Sequence, residues 1–389
     1  MASHGGLAEV LRSFGPAYLT THTLSPGAAK AWRAICACRT ATLGGYIERC
    51  DQCGTMRQVY HSCLNRHCPL CQTRAKEAWL SARRRELLPV PYFHLVFTLP
   101  HALNGLIARH PRRLYSYLFA AVSNTLSEFA ANPRWLGGEP AFTLVLHTWK
   151  QDLGRHVHVH ALVAGGALSA AGVWVSPKPG FLFPEKALSA VYRGKFIAAL
   201  DEERASPRLR EDPALTNSAW RQLKRQLYVH DWVVYAKQPL GGPAQVLEYL
   251  SRYTHRVAIS NERIVAIGQT EVAFRVRVNG EGGGKKRTLR LPGTEFIERF
   301  VQHVLPRGFK RIRHYGLLGA AHKSAHMAAA RTALNAPQPQ PAVIESLAAF
   351  MQRVAKIEWA ACPHCRLGQF KLLQAITPQP RCQSSRGPP

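Results

Sequence analysis

The segment His156-Val157-His158-Val159-His160 sets three imidazoles at alternate positions. In a β-strand alternate residues share a face, so the histidines line one side while Val157 and Val159 turn to the other, into a core. Neutral imidazole is a ready ligand for divalent ions. Zinc hydrolases also use such strands, but they need acids close by as a further ligand or general base. Here Ala161-Leu162-Val163-Ala164-Gly165-Gly166 follows, with no acid in it. Two imidazoles and one further polar group on Mg2+ or Mn2+ would leave positions open for water and phosphate oxygens.

A second constellation is Glu248-Tyr249-Leu250-Ser251-Arg252-Tyr253. On a helix, residues four apart lie on one face, so Tyr249 and Tyr253 would present their phenols side by side. Gln245 shares that face one turn earlier, and Arg252 and Arg256 add positive charge that suits a phosphate. A phenol ionises only near pH ~10 and is a weak nucleophile at neutral pH. A divalent ion on a scissile phosphate offsets this by stabilising the transition state. Tyrosine attack then yields a phosphotyrosine and a free 3′-hydroxyl, and the retained bond energy lets the strand be rejoined without ATP.

Of ten cysteines, seven fall between Cys36 and Cys71. Cys50 and Cys53 form one CxxC knuckle, Cys68 and Cys71 another, and the two together predict a four-thiolate zinc ribbon with Gly54 easing the first turn. Cys38, Cys63 and His67 lie nearby and could build a second zinc site with a group such as His61; one site with spare thiols fits the spacing equally. Four thiolates leave no position for water, so zinc there is structural. Cys362 and Cys365 form a further knuckle whose remaining cysteine, Cys382, is distant, so it reads as a half-site on a tail.

The 389 residues include 51 Lys and Arg against 23 Asp and Glu, a formal charge of +28, which favours a polyanionic partner. At 46% hydrophobic residues the chain is globular and long enough for two or three domains. Gly15, Pro16, Pro26 and Gly27 interrupt the start, and no apolar run has the length of a signal or a membrane span. A reducing bacterial cytoplasm is therefore expected, where cysteines bind metal more often than they pair. Lys285, Lys286, Arg287 and Arg290, then Arg307, Lys310, Arg311 and Arg313, are expected to contact DNA backbone.

The elements that must position these groups alternate between strands and helices. Strands are predicted over residues 92–99, 142–148, 156–164 (stopped by Gly165-Gly166), 232–236, 257–260, 263–267, 272–278 and 288–291. Helices are predicted over 102–131 with a break at Pro111, over 220–228, from Gly242-Pro243 to about 254, and over 343–357. The pattern is α+β with a largely antiparallel sheet. The division expected is an N-terminal segment 1–29, a zinc module 30–88, a nuclease domain 89–330, and a Pro-rich linker and tail 331–389.

Together these features resemble the HUH endonucleases of the two-tyrosine class, and more closely the rolling-circle insertion-sequence transposases of the IS91 family. The similar segments are Ser62 through Gln72, Phe97-Thr98-Leu99-Pro100-His101, His156 through Gly166, Glu248 through Asn261, His303-Val304-Leu305-Pro306 and Arg313-His314-Tyr315-Gly316. The resemblance implies the HUH fold, a five-stranded antiparallel sheet flanked by helices, with an N-terminal zinc-ribbon-like module. It makes His158 and His160 the metal-binding pair, with His156 flanking, and Tyr249 and Tyr253 the nucleophiles. It implies single-stranded DNA as substrate, cut at transposon ends and joined at a target. Gln245 is expected as third ligand, with Gln151 and His147 as alternatives. Members often carry a histidine after Gly-Gly, where this chain has Tyr46 after Gly44-Gly45, so a second zinc site through Cys38, Cys63 and His67 would draw on His61. Two other functions share parts of the pattern: a plasmid replication initiator or relaxase, and a zinc-dependent nucleic-acid-binding protein without catalysis.

Overall fold

The computed structural model describes residues 6–204, 206, 209, 211–237, 245, 247, 258–277, 286–339, 346–355 and 358–379. It is a mixed α and β molecule whose strand pairings are antiparallel.

Strands β1 (Gly45–Cys50) and β2 (Met56–Tyr60) form a hairpin in the cysteine-rich region. Strands β3 (Tyr92–Thr98), β4 (Glu139–Trp149), β5 (Arg155–Leu168), β6 (Trp174–Val175) and β7 (Val234–Lys237) belong to the central sheet. Strands β8 (Ile264–Ile267), β9 (Glu271–Arg277) and β10 (Lys286–Pro292) form a separate sheet. Strand β11 (Ile312–Gly316) returns to the central sheet, and β12 (Phe370–Ile376) joins the first hairpin. The central order is β11-β4-β5-β3-β7, with the short β6 paired to β5.

Alternation along the central strands decides which side is core. Phe93, Leu95 and Phe97 of β3, Phe142, Leu144 and Leu146 of β4, and Val157, Val159 and Ala161 of β5 share one buried cluster. They pack on the helices Pro111–Ala131 and Glu185–Arg204. The first of these has proline in its opening turn, and Leu114, Leu118, Val122 and Leu126 recur every fourth residue as its inward stripe. Each fully buried side chain of this size is worth about 1.5–3 kcal/mol, so the sheet face is strongly specified. The opposite face carries His94, Thr143, His147, His158 and His160. Farther along, Tyr92 and Leu162 on that face pack with Leu80 of the helix Gln72–Glu86, with Met327 and Ala330 of the helix Lys323–Ala333, and with Leu247.

Three elements differ from expectation. Strand β5 does not stop at Gly165-Gly166: Gly165 donates to the Pro91 carbonyl at 2.7 Å and prolongs the ladder. Gly166 has φ 143°, and a Cβ there would lie 2.3 Å from the Trp174 ring nitrogen, so the glycine admits β6. Among the described residues of 257–260, Ala258, Ile259 and Ser260 are not in a strand; Ala258 and Ile259 are buried beside β8 and β9 instead. The basic run before Gly316, which did not read as a strand, forms the edge strand β11.

The N-terminal residues are part of a core rather than an appendage. The helices Leu7–Ser13 and Gly15–Thr21 pack with the helix Gly293–Val301 and the β8-β9-β10 sheet. A Cβ on Gly293 would fall 2.1 Å from the Phe14 ring.

Candidate active site and metal centres

The β4–β5 hairpin builds the histidine site. His147 pairs directly with His158, and Val145 with His160, so all three imidazoles project from one face. The hairpin turn is fixed by Leu153, which is fully buried, has φ 64°, and accepts a 2.8 Å hydrogen bond from His303 Nε2. The ligand nitrogens of His147, His158 and His160 lie within 4.8 Å of one another. Ring centroids are 5.4 Å apart for His147 and His158, 4.6 Å for His147 and His160, and 4.9 Å for His158 and His160.

Hydrogen bonds orient the rings. His158 Nδ1 is 2.9 Å from the His156 carbonyl, so it carries the proton and Nε2 presents its lone pair. His160 Nδ1 is 2.9 Å from Nε2 of buried His94, on the neighbouring strand β3, and the two rings stack at 5.1 Å. His147 stacks on Trp149 at 4.8 Å. Burial, with the neighbouring His156, pushes the pKa of His158 down to about 4, so the ring is a neutral donor at neutral pH. The donor set is three imidazoles without a carboxylate, which suits one divalent ion with positions left over. His156 sits at the rim, its Nδ1 3.2 Å from His101 Nε2, and both line a cleft of about 520 Å³ shared with His230 and Trp232.

Of the sequence-predicted ligands, His158 and His160 lie together, and the third imidazole beside them is His147, one of the two alternatives to Gln245. Gln245 is helical and exposed, and Leu247, two residues on, is buried in one cluster with Leu162, which lies two residues along β5 from His160. Gln151 lies in the hairpin turn, its carbonyl bonded by Arg263. Tyr249, Tyr253, Arg252, Arg256 and Lys285 lie outside the described residues. His94 was not anticipated; the available signal was the alternation of Tyr92, His94, Val96 and Thr98 against the apolar Phe93, Leu95 and Phe97.

The cysteines sort differently from their order in the chain. Cys38, Cys63, Cys68 and Cys71 form one group, and Cys50, Cys53, Cys362 and Cys365 another, each with sulfurs within 4.8 Å. The expected ribbon of Cys50 and Cys53 with Cys68 and Cys71 is therefore not formed. The physical reason is the β1–β2 hairpin, which carries the first knuckle away from the second and onto β12. The Sγ atoms stand 3.5 Å apart for Cys38–Cys71 and 3.7 Å apart for Cys63–Cys71, Cys50–Cys365 and Cys53–Cys362. Sulfurs about 2.3 Å from one tetrahedral zinc would stand roughly 3.8 Å apart, so both groups have the dimensions of a zinc site. In the first, hydrogen bonds from Cys63 and Cys68 hold the Cys38 thiol well below its ordinary value while Cys38 drives Cys63 up. Four thiolates this close need a cation to ionise together.

The first group ties two helices together. Cys38 ends the helix Pro26–Ala37 and Cys71 begins the helix Gln72–Glu86, whose Arg83 reaches His314 of β11 at 2.6 Å. His67 is not among its ligands. It lines a small internal cavity with Leu146, His303 and Arg311, and burial, together with Arg66 and Arg311, lowers its pKa to about 3. His61 instead packs edge-on to Tyr46 at 5.7 Å.

The predicted DNA contacts also divide. Lys286, Arg287, Arg290, Arg307 and Lys310 are exposed, with Arg290 paired to Glu271. Arg311 is buried, and burial beside Arg66 lowers its pKa to about 10; it belongs to the interior wall, not to a DNA surface. Arg313 lies over the rings of Phe119 and Phe309 at 4.2 and 5.0 Å, so its guanidinium packs the back of the sheet.

Among the described residues no helix is long and apolar enough to cross a membrane. Residues 141–325 match the family described as "Putative transposase" (Y2_Tnp), and residues 10–99 match "Transposase zinc-binding domain" (Zn_Tnp_IS91). The chain is 41% identical over 388 residues to "Putative transposase y4qJ" of Sinorhizobium fredii, covering 97% of each. It is 28% identical over 289 residues to "Transposase for insertion sequence element IS801" of Pseudomonas savastanoi pv. phaseolicola, covering 72% of this chain and 68% of that one. No solved structure matches the chain. A zinc-binding domain and two four-cysteine groups support structural zinc, and a transposase acts on DNA. The chain therefore belongs to the IS91 family of transposases, with that family's zinc-binding domain at its N-terminal end.

Proposed function

We propose that this transposase has the HUH endonuclease fold and nicks and rejoins single-stranded DNA at transposon ends through Tyr249 and Tyr253, driving rolling-circle transposition. The observation that carries the reading is the three-imidazole face of the β4–β5 hairpin, with the residue two before Tyr249, Leu247, buried on that same sheet face. His147, His158 and His160 would hold the divalent ion, Mg2+ or Mn2+. When bound, the ion supplies positive charge to the scissile phosphate.

The chain's own groups do the rest. One tyrosine Oη bonds to phosphorus as the P–O3′ bond breaks; the phenol gives up its proton and the departing 3′ oxygen takes one. The 5′ end remains on the protein as a phosphotyrosine, and a second 3′-hydroxyl reverses the step at the target. A second tyrosine allows one strand to be held while another is cut. Arg252 and Arg256 would pair with strand phosphates, and exposed Lys286, Arg287, Arg307 and Lys310 would track the backbone, with Lys285 beside them.

The test is a labelled single-stranded oligonucleotide carrying an element end, incubated with Mn2+ or EDTA and run on a denaturing gel. A metal-dependent covalent adduct is expected from wild type and none from the combined Tyr249→Phe, Tyr253→Phe variant. Cleavage at the wild-type rate by that variant would sink the tyrosine mechanism.

A further inference from the structure

Cys362 and Cys365 read as a stray knuckle in the sequence, and they lie beyond the residues matched by the zinc-binding domain. In the fold they face Cys50 and Cys53 across 309 and 315 residues of chain, Sγ to Sγ at 3.7 Å in both cross pairs. We propose that these four cysteines form a second structural zinc site, a clasp through which the C-terminal segment completes the N-terminal module.

Independent features bring the two knuckles together without the metal. Strand β12 runs antiparallel to β1, from Gly45 opposite Ile376 to Cys50 opposite Phe370, so both knuckles sit at one end of one sheet. Asp51 and Gln369 exchange two hydrogen bonds, amide to carbonyl at 3.0 Å and amide to carboxylate at 2.9 Å. The Arg57 guanidinium lies over the rings of Trp359 and Phe370 at 4.5 and 3.9 Å. The second knuckle closes in a tight turn: Arg366 is left-handed at φ 60°, and the Gly368 amide donates to Cys365 Sγ at 3.4 Å. A Cβ on Gly368 would stand 2.4 Å from Cys50 Sγ, so the close approach of the two knuckles requires glycine there.

The donor set is four thiolates, the chemistry of a closed zinc site with no position for substrate. The clasp continues toward the catalytic sheet. Arg353, on the helix Leu347–Ala355 that precedes the knuckle, pairs with Glu77 at 2.9 Å, and Glu77 lies on the helix that covers the histidine face.

The experiment uses the full chain, purified with zinc and quantified by elemental analysis, with thiol alkylation mapped by peptide mass spectrometry. In a chain carrying His147→Ala and His158→Ala, so that the histidine site does not add to the count, about two zinc equivalents are expected, falling to about one when Cys362→Ser and Cys365→Ser are added, because each tetrathiolate group binds one ion. In Cys50→Ser with Cys53→Ser, Cys362 and Cys365 should alkylate roughly tenfold faster or more, while Cys38, Cys63, Cys68 and Cys71 stay protected. If that variant misfolds, wild type alone decides: stepwise chelation should expose Cys50, Cys53, Cys362 and Cys365 together. About one zinc in the chain with the histidine site removed, or equal alkylation of Cys362 and Cys365 with and without Cys50 and Cys53, overturns the clasp. The readouts do not involve DNA cleavage, so they stand or fall apart from the tyrosine mechanism.

Discussion

The two cysteine groups and the histidine group solve opposite problems with the same kind of geometry. Each cysteine group offers four thiolates to one ion and joins separate segments of the chain, so metal affinity there would add to folding energy. The histidine group offers three neutral imidazoles on a sheet already held by an apolar layer of phenylalanines, leucines and valines. Its scaffold does not need the ion, and three donors leave coordination positions open. Closed metal sites stabilise and open ones can do chemistry, and on the proposed reading the side-chain type marks which is which.

Separate substitutions should pull the two apart. The largest effect is expected for Cys38→Ser with Cys71→Ser: loss of one structural zinc removes on the order of 10 kcal/mol of apparent binding energy, comparable to a whole domain's stability. The module should unfold, seen as loss of its thermal transition. His158→Ala should leave zinc content and the melting transition near wild type while lowering cleavage by roughly a hundredfold or more. Equal thermal loss in both would break the distinction.

Within the histidine face, His147→Ala and Gln245→Ala separate the candidate third ligands. Mn2+ titration should show affinity reduced roughly 10–100-fold by His147→Ala and little changed by Gln245→Ala; the reverse result would return the role to Gln245. His94→Phe should cost about 10-fold in Mn2+ affinity, because the His160 ring loses the partner that sets its tautomer, and His94→Gln should restore part of it.

A separate effect is on pH dependence. His303 and His314 have folded-state pKa values lowered to about 4, in both cases first by burial, and for His314 then by Arg83. Their unfolded value is near 6.5, so the unfolded chain binds more protons in between. Stability should hold above pH ~6.5 and fall as the pH drops toward about 4, by up to roughly 1.4 kcal/mol per pH unit for each ring. Thermal midpoints across that window, with His314→Gln as the comparison, measure the slope.

Much of the site was legible because strand alternation is a local property. The pattern of His156 to His160 required that the imidazoles share a face opposite Val157 and Val159, whatever the rest of the fold did. Pro111 marked the helix start in the same local way. Arg311 and Arg313 misled because charge in a sequence carries no information about burial: one lies inside, the other on aromatic rings. The glycines within β5 misled because glycine marks close approach as well as chain reversal.

Composition and spacing by themselves determined that this is a basic protein with histidines on a strand face and cysteines in knuckles of zinc-binding spacing. Tertiary structure alone decided the partners. His147 meets His158 through the register of β4 on β5, and His94 meets His160 through β3. Cys50 and Cys53 meet Cys362 and Cys365 through the pairing of β1 with β12. A ligand contributes from wherever the backbone hydrogen bonds bring it, and those bonds join residues whose separation along the chain leaves no mark in any local pattern.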